Sequence, residues 1–157
     1  MSISSRLRKL LDGHQIHYQV IHHAQAFTAP EIAETAHESG KEFAKTVVCN
    51  VDGVMKMIVL PAHEQVDLRH LAEVFHAGSV VLATETELAA MFPDCEVGAM
   101  PPFGEIYGLE VMVDEHLAGN DLISFNAGNH REIIKMRYID FDRLIKPKPV
   151  KVVRIVV

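Results

Sequence analysis

The chain has 157 residues, 48% of them apolar and 23% charged, enough to bury one sizeable core and too apolar for a disordered chain. Its net charge of −6 argues against a protein that coats nucleic acid by bulk charge, while leaving room for one that holds a nucleic-acid end in a small pocket. No apolar run reaches the roughly 18 residues that cross a membrane, Met1–Leu7 carries no signal-peptide core, and Cys49 and Cys95 make no disulfide framework, so the expectation is a cytoplasmic protein of one domain.

In chain order, Ile3, Leu7, Leu10 and Leu11 share one helical face, with Gly13 placed to stop the helix. His17 to Ile21 alternates like a strand. Thr28-Ala29-Pro30-Glu31 reads as a capping box, with Phe27 and Ile32 as a hydrophobic staple, and predicts a helix to about Ser39. Thr46–Asn50 and Val54–Leu60 are β-rich and joined by Asp52-Gly53, a hairpin signal. Asp67 can cap a helix carrying Leu68, Leu71, Ala72 and Phe75, with Gly78 after it. Ser79–Ala83 reads as a short buried strand, and Thr84–Glu87 as a second capping box opening a helix that Pro93 stops. Strands are expected near Leu109–Val113, Leu122–Asn126 and Glu132–Ile139, with a turn at Asn126–Asn129. A short basic tail follows from about Lys146. Strands in neighbouring pairs with irregularly placed helices favour an α+β fold.

Three places could carry chemistry. Lys45, in Phe43-Ala44-Lys45-Thr46-Val47-Val48, stands where an apolar strand begins. Its ammonium could face a cleft and meet a phosphate or a developing oxyanion, or it could simply snorkel at the strand end. Gly98-Ala99-Met100-Pro101-Pro102-Phe103-Gly104 could be a stiff loop whose amides place a water or an oxyanion, or a plain structural turn. His130, after Asn126-Ala127-Gly128-Asn129, could point into a pocket or lie on a surface turn. Ten histidines invite a metal reading, but His14 and His17 straddle the helix stop, His22 and His23 face opposite ways on a strand, and no third ligand follows at a zinc spacing. No metal and no cofactor are expected. Walker, dinucleotide-binding and hydrolase-elbow motifs are absent. Cys49 reads as a core residue and Cys95 as more exposed, with no base near it in sequence.

Together the segments Thr28-Ala29-Pro30-Glu31, Ala44–Val48, Gly98–Gly104, Asp114 after a β-run, and Asn126–His130 make the chain similar to the YbaK/prolyl-tRNA synthetase-associated editing domains. Their order and spacing span nearly the whole chain short of the tail. The resemblance implies a strongly curved, mostly antiparallel, barrel-like sheet surrounded by helices. It implies a freestanding trans-editing hydrolase that deacylates mischarged aminoacyl-tRNA, tRNA(Pro) carrying a small non-cognate amino acid being the expected substrate. The acceptor end of the tRNA is the implied partner, with an aminoacyl-tRNA synthetase as a further one.

In residue terms the resemblance implies catalytic roles for Lys45 and Gly98. Substrate-binding roles fall to Phe27, Thr28, Met100, Pro101, Pro102, Asn129 and His130. The segment ending in His130 tracks the accepted amino acid among relatives, and here it corresponds to no one substrate. The alternatives are a non-catalytic aminoacyl-tRNA or nucleotide binding module of the same fold, and a histidine-rich metal-binding protein.

Overall fold

The computed structural model describes residues 4–22 and 42–152. The expected helix after Thr28, and with it Phe27 and Thr28, lies outside the described residues.

Helix α1 (Ser5–Gly13) buries Leu7 and Leu11, one turn apart on the predicted face. Gly13 is its last residue, and the left-handed step that turns the chain falls on Gln15. Strand β1 (Tyr18–His22) follows. β2 (Ala44–Val51) and β3 (Val54–Pro61) form the expected hairpin. Asp52 and Gly53 both take positive φ, +50° and +90°, as a two-residue turn matched to strand twist requires. The Asp52 carboxylate also accepts the amides of Gly78 and Ser79, pinning the hairpin tip to the segment before β4 (Val80–Leu82). Between them α2 (Leu68–Val74) is capped by Asp67, which accepts the His70 amide. That helix ends four residues before Gly78, and His76 takes the left-handed conformation. α3 (Glu85–Met91) opens with both halves of the Thr84–Glu87 capping box.

After a 3₁₀ turn (Gly104–Tyr107) come β5 (Glu110–Asp114), α4 (Glu115–Ala118), β6 (Leu122–Asn126), β7 (Glu132–Arg137), α5 (Tyr138–Ile145) and β8 (Lys148–Val150). One expectation fails here. The last strand stops at Arg137, and Tyr138 onward is helical, because Tyr138 and Phe141 are three apart and both buried against the core. The basic segment after Lys146 takes the edge-strand form: β8 pairs with β5, and Val152 is fully buried. A second correction concerns β4. Only Val80 is buried, while Val81 and Leu82 are about half exposed, since β4 is an edge strand with one face uncovered.

The strands form two sheets, β1-β7-β6 and β4-β2-β3-β5-β8. Four of the six pairings are antiparallel; β3–β5 and β5–β8 are parallel. The barrel-like expectation is met as an open arrangement of two sheets. They are bridged at Phe43 and Ser124, where the Ser124 amide also bonds to the Glu42 carbonyl. Alternate residues of the larger sheet feed two cores. Val48, Met57, Val59, Val111 and Val113 join Leu7, Leu11, Phe103, Phe125, Ile134 and Phe141. Cys49, Ile58, Leu60 and Met112 join Leu71 of α2, Val150 and Val152. Burial on both faces explains why β2 and β3 read as continuous apolar runs.

Candidate active site

The loop after α3 is held from below by the aromatic core. The Phe103 ring lies 5.4 Å from Phe125 and 5.6 Å from Phe141, centroid to centroid. Met100, Pro101 and Pro102 are buried and anchor the loop. Above them Gly98 is exposed and takes φ +87°, a conformation that favours glycine. Its amide donates to the Met100 Sδ at 3.3 Å, while the Ala99 amide donates to the Glu96 carbonyl.

This loop is paired with the turn between β6 and β7. The Glu96 amide donates to the Gly128 carbonyl at 2.8 Å, and the Gly128 amide to the Ala99 carbonyl at 3.0 Å. The His130 ring lies over Gly98, its Cε1 3.6 Å from the position a Cβ would occupy there. Nε2 of His130 donates to the Val97 carbonyl at 2.9 Å. In the neutral ring Nδ1 is therefore an acceptor. It is buried and has no partner among the described residues, as is Oδ1 of Asn126 on the same turn. Asn129 is fully buried and shapes the turn: Oδ1 accepts the Arg131 and Glu132 amides, and Nδ2 donates to the Glu132 carboxylate.

Lys45 sits half-buried near the start of β2, opposite Leu60. Burial draws its ammonium pKa below the ordinary lysine value, and the Glu64 carboxylate pushes it back up. No direct contact joins it to Gly98 or His130. An isolated parallel bridge joins Phe43 to Ser124, and Lys45 and Asn126 each stand two residues further along their strands.

Sequence reasoning missed the group that braces this site. Asp94 accepts hydrogen bonds from Ser4 Oγ at 2.6 Å, Arg6 Nη2 at 3.1 Å and the Tyr107 hydroxyl at 3.0 Å. Burial alone would raise its pKa; the donors outweigh burial and hold it down at about 2. The Arg6 guanidinium also stacks 4.6 Å from the Tyr107 ring centroid. Burial pushes the neighbouring Cys95 thiol up to about 11, so it is not an activated nucleophile. The network ties α1, the loop bearing Gly98 and the 3₁₀ turn together. Its only sequence trace was that Asp94 follows Pro93.

Residues 23–144 match the family model of the aminoacyl-tRNA editing domain, and the chain belongs to that family. Among solved structures it is similar to a proposed trans-editing enzyme for prolyl tRNA synthetase, at TM-score 0.83 and 18% identity over 98% of this chain and 99% of that one. It is also similar to the hypothetical protein APE2540, at TM-score 0.82 and 16% identity over 94% and 99%. A proposed signal transduction protein from Marinobacter aquaeolei VT8 carries the same fold in part of its length, at TM-score 0.72 and 13% identity over 93% of this chain and 30% of that one. At these identities the likeness is one of fold. None of the curated proteins matches the sequence. Among the described residues no helix is long and apolar enough to cross a membrane.

Proposed function

We propose that the chain hydrolyses mischarged aminoacyl-tRNA in trans, with tRNA(Pro) carrying a small non-cognate amino acid as substrate. The observation that carries this reading is the packing of His130 on Gly98, with a buried Nδ1 that has no partner among the described residues beside an exposed glycine backbone. An aminoacyl ester is already activated, so a placed water and a stabilised oxyanion suffice without a protein nucleophile. Among the described residues the Gly98 amide is held by a thioether sulfur, a weak acceptor that an oxyanion would displace. Lys45 supplies a compact, partly desolvated cation for the oxyanion or the terminal phosphate. The acceptors on the Asn126–His130 turn suit the ammonium of the charged amino acid. In this reading Phe27 and Thr28 are substrate-binding residues, and Met100, Pro101, Pro102 and Asn129 support the loop and turn of the site.

Such a second sieve is physically required wherever a synthetase pocket must reject a smaller apolar side chain. The test is single-turnover deacylation over a panel of mischarged tRNAs. Hydrolysis of one or a few supports the reading. Binding of the acceptor end without turnover supports a non-catalytic module, and neither result on any member sinks both.

A further inference from the structure

Strands β3 and β5 run parallel, with Val59 opposite Val113, so their carboxyl ends finish side by side. Ligands bind characteristically beyond such ends. Here the turn after β3 brings Glu64, its amide held by the Pro61 carbonyl, beside Asp114 and His116.

We propose that Glu64, Asp114 and His116 bind a divalent transition metal ion of the zinc class. One donor atom from each residue lies within 4.8 Å of the other two. His116 Nδ1 is 2.9 Å from Asp114 Oδ2 and 3.9 Å from Glu64 Oε1. With metal–ligand bonds of about 2.0–2.1 Å those separations correspond to angles of roughly 90° and 145°, within reach of a side-chain adjustment by Glu64. The Asp114 side chain is 2% exposed and is fixed by the Val152 amide on its other oxygen. His116 is 57% exposed, which leaves a path from solvent.

A second observation points the same way. Glu64 Oε2 is buried and has no hydrogen-bond partner among the described residues, although the carboxylate borders a pocket of about 230 Å³ with His63, His116 and Asn120. An imidazole with two carboxylates suits zinc or cobalt better than calcium or magnesium, which prefer more oxygen donors. Without metal, His116 Nδ1–H donates to Asp114; the ion takes that position on Nδ1, and the neutral ring keeps its one proton, now on Nε2. Glu64 also acts on the Lys45 ammonium, so the two sites adjoin, but binding is measured without RNA and its outcome does not depend on catalysis by Lys45.

The test uses full-length, untagged, chelator-treated protein, titrated with Co²⁺ by visible absorbance and with Zn²⁺ by calorimetry. One saturable equivalent with a d–d spectrum and a raised melting temperature is expected. Glu64→Gln and His116→Ala should each weaken binding at least tenfold while the metal-free proteins melt near wild type, as both side chains reach the surface. Asp114 is left intact because it also caps α4. Absence of saturable binding would overturn the proposal. So would binding that both variants leave unchanged, which would place the ion on other histidines.

Discussion

The His130 ring rests on the backbone of Gly98, with Cε1 3.6 Å from the site of an added Cβ and Nε2 bonded to the Val97 carbonyl one residue away. Loop and turn are thus one unit. Gly98→Ala would place a side chain at φ +87° and in contact with that ring. The left-handed backbone costs about 1 kcal/mol. The expected outcome is a melting temperature lower by a few degrees and a larger loss in single-turnover deacylation. Wild-type turnover in a destabilised variant would remove the loop from the site.

His130→Ala tests specificity. The ring donates its hydrogen bond to a loop carbonyl and contributes little apolar packing, so the fold should survive with about 1–2 kcal/mol lost for the stranded carbonyl. The ranking of kcat/KM over several aminoacyl-tRNAs should change. An unchanged ranking and rate would take His130 out of the amino-acid pocket.

Lys45→Ala should slow deacylation about a hundredfold, the loss typical of removing one preorganised donor, roughly 3 kcal/mol. Its ammonium is destabilised by burial, so the variant should melt no lower than the wild type. Lys45→Arg should recover only part of the rate, because a planar fork does not replace a compact ammonium. Full activity in the alanine variant would refute the assignment.

Asp94 predicts an acid limit. Its folded pKa, about 2, lies below the ordinary value of 3.8, so the group stabilises the fold fully above about pH 4. That contribution, about 2 kcal/mol, is lost as pH falls from 4 toward 2. Asp94→Asn should lower stability at pH 7 and flatten the acid side of a urea-midpoint profile. Parallel profiles for the two proteins would show that the network contributes nothing through the charge.

Truncation after Ile145 removes β8 and the Val152 amide that bonds to Asp114. It should therefore destabilise the protein by several kcal/mol, as loss of a paired edge strand with the buried Val150 and Val152 side chains does, seen as a fall in the urea midpoint. Whether the basic residues touch RNA needs Lys146→Ala with Lys148→Ala, both exposed, scored by the salt slope of tRNA affinity. Equal slopes would exclude the contact.

Local rules carried far into this fold. The Asp52-Gly53 hairpin, the Asp67 cap and the Thr84–Glu87 box all need only near neighbours, and each formed where its residues stand. α5 was hidden because Tyr138 and Ile139 continue the β-prone run of β7. The change from a two-residue to a helical period passes without Gly or Pro. Burial was read from composition alone at β4, where sheet position decides it. Lys45, Gly98 and His130 were each visible as residue types, but the packing of His130 on Gly98 depends on hydrogen bonds between a loop and a turn far apart in the chain. Glu64 gave no local signal, since its neighbours arrive only through parallel pairing of distant strands.

The pairing of β1 with β7 sets Tyr18 opposite Met136 and Ile21 opposite Ile133. A chain made from its amino end exposes the apolar side of β1 long before its partner exists. Loop closure of that length must precede any reward from the contact, which makes the three-stranded sheet the late and slow event of assembly. Until then β1 is an unsatisfied edge, open to pairing with another copy. Production at lower temperature, or with a holdase that covers the first twenty residues or so, should raise the yield of monomeric protein more than any change to the finished core would.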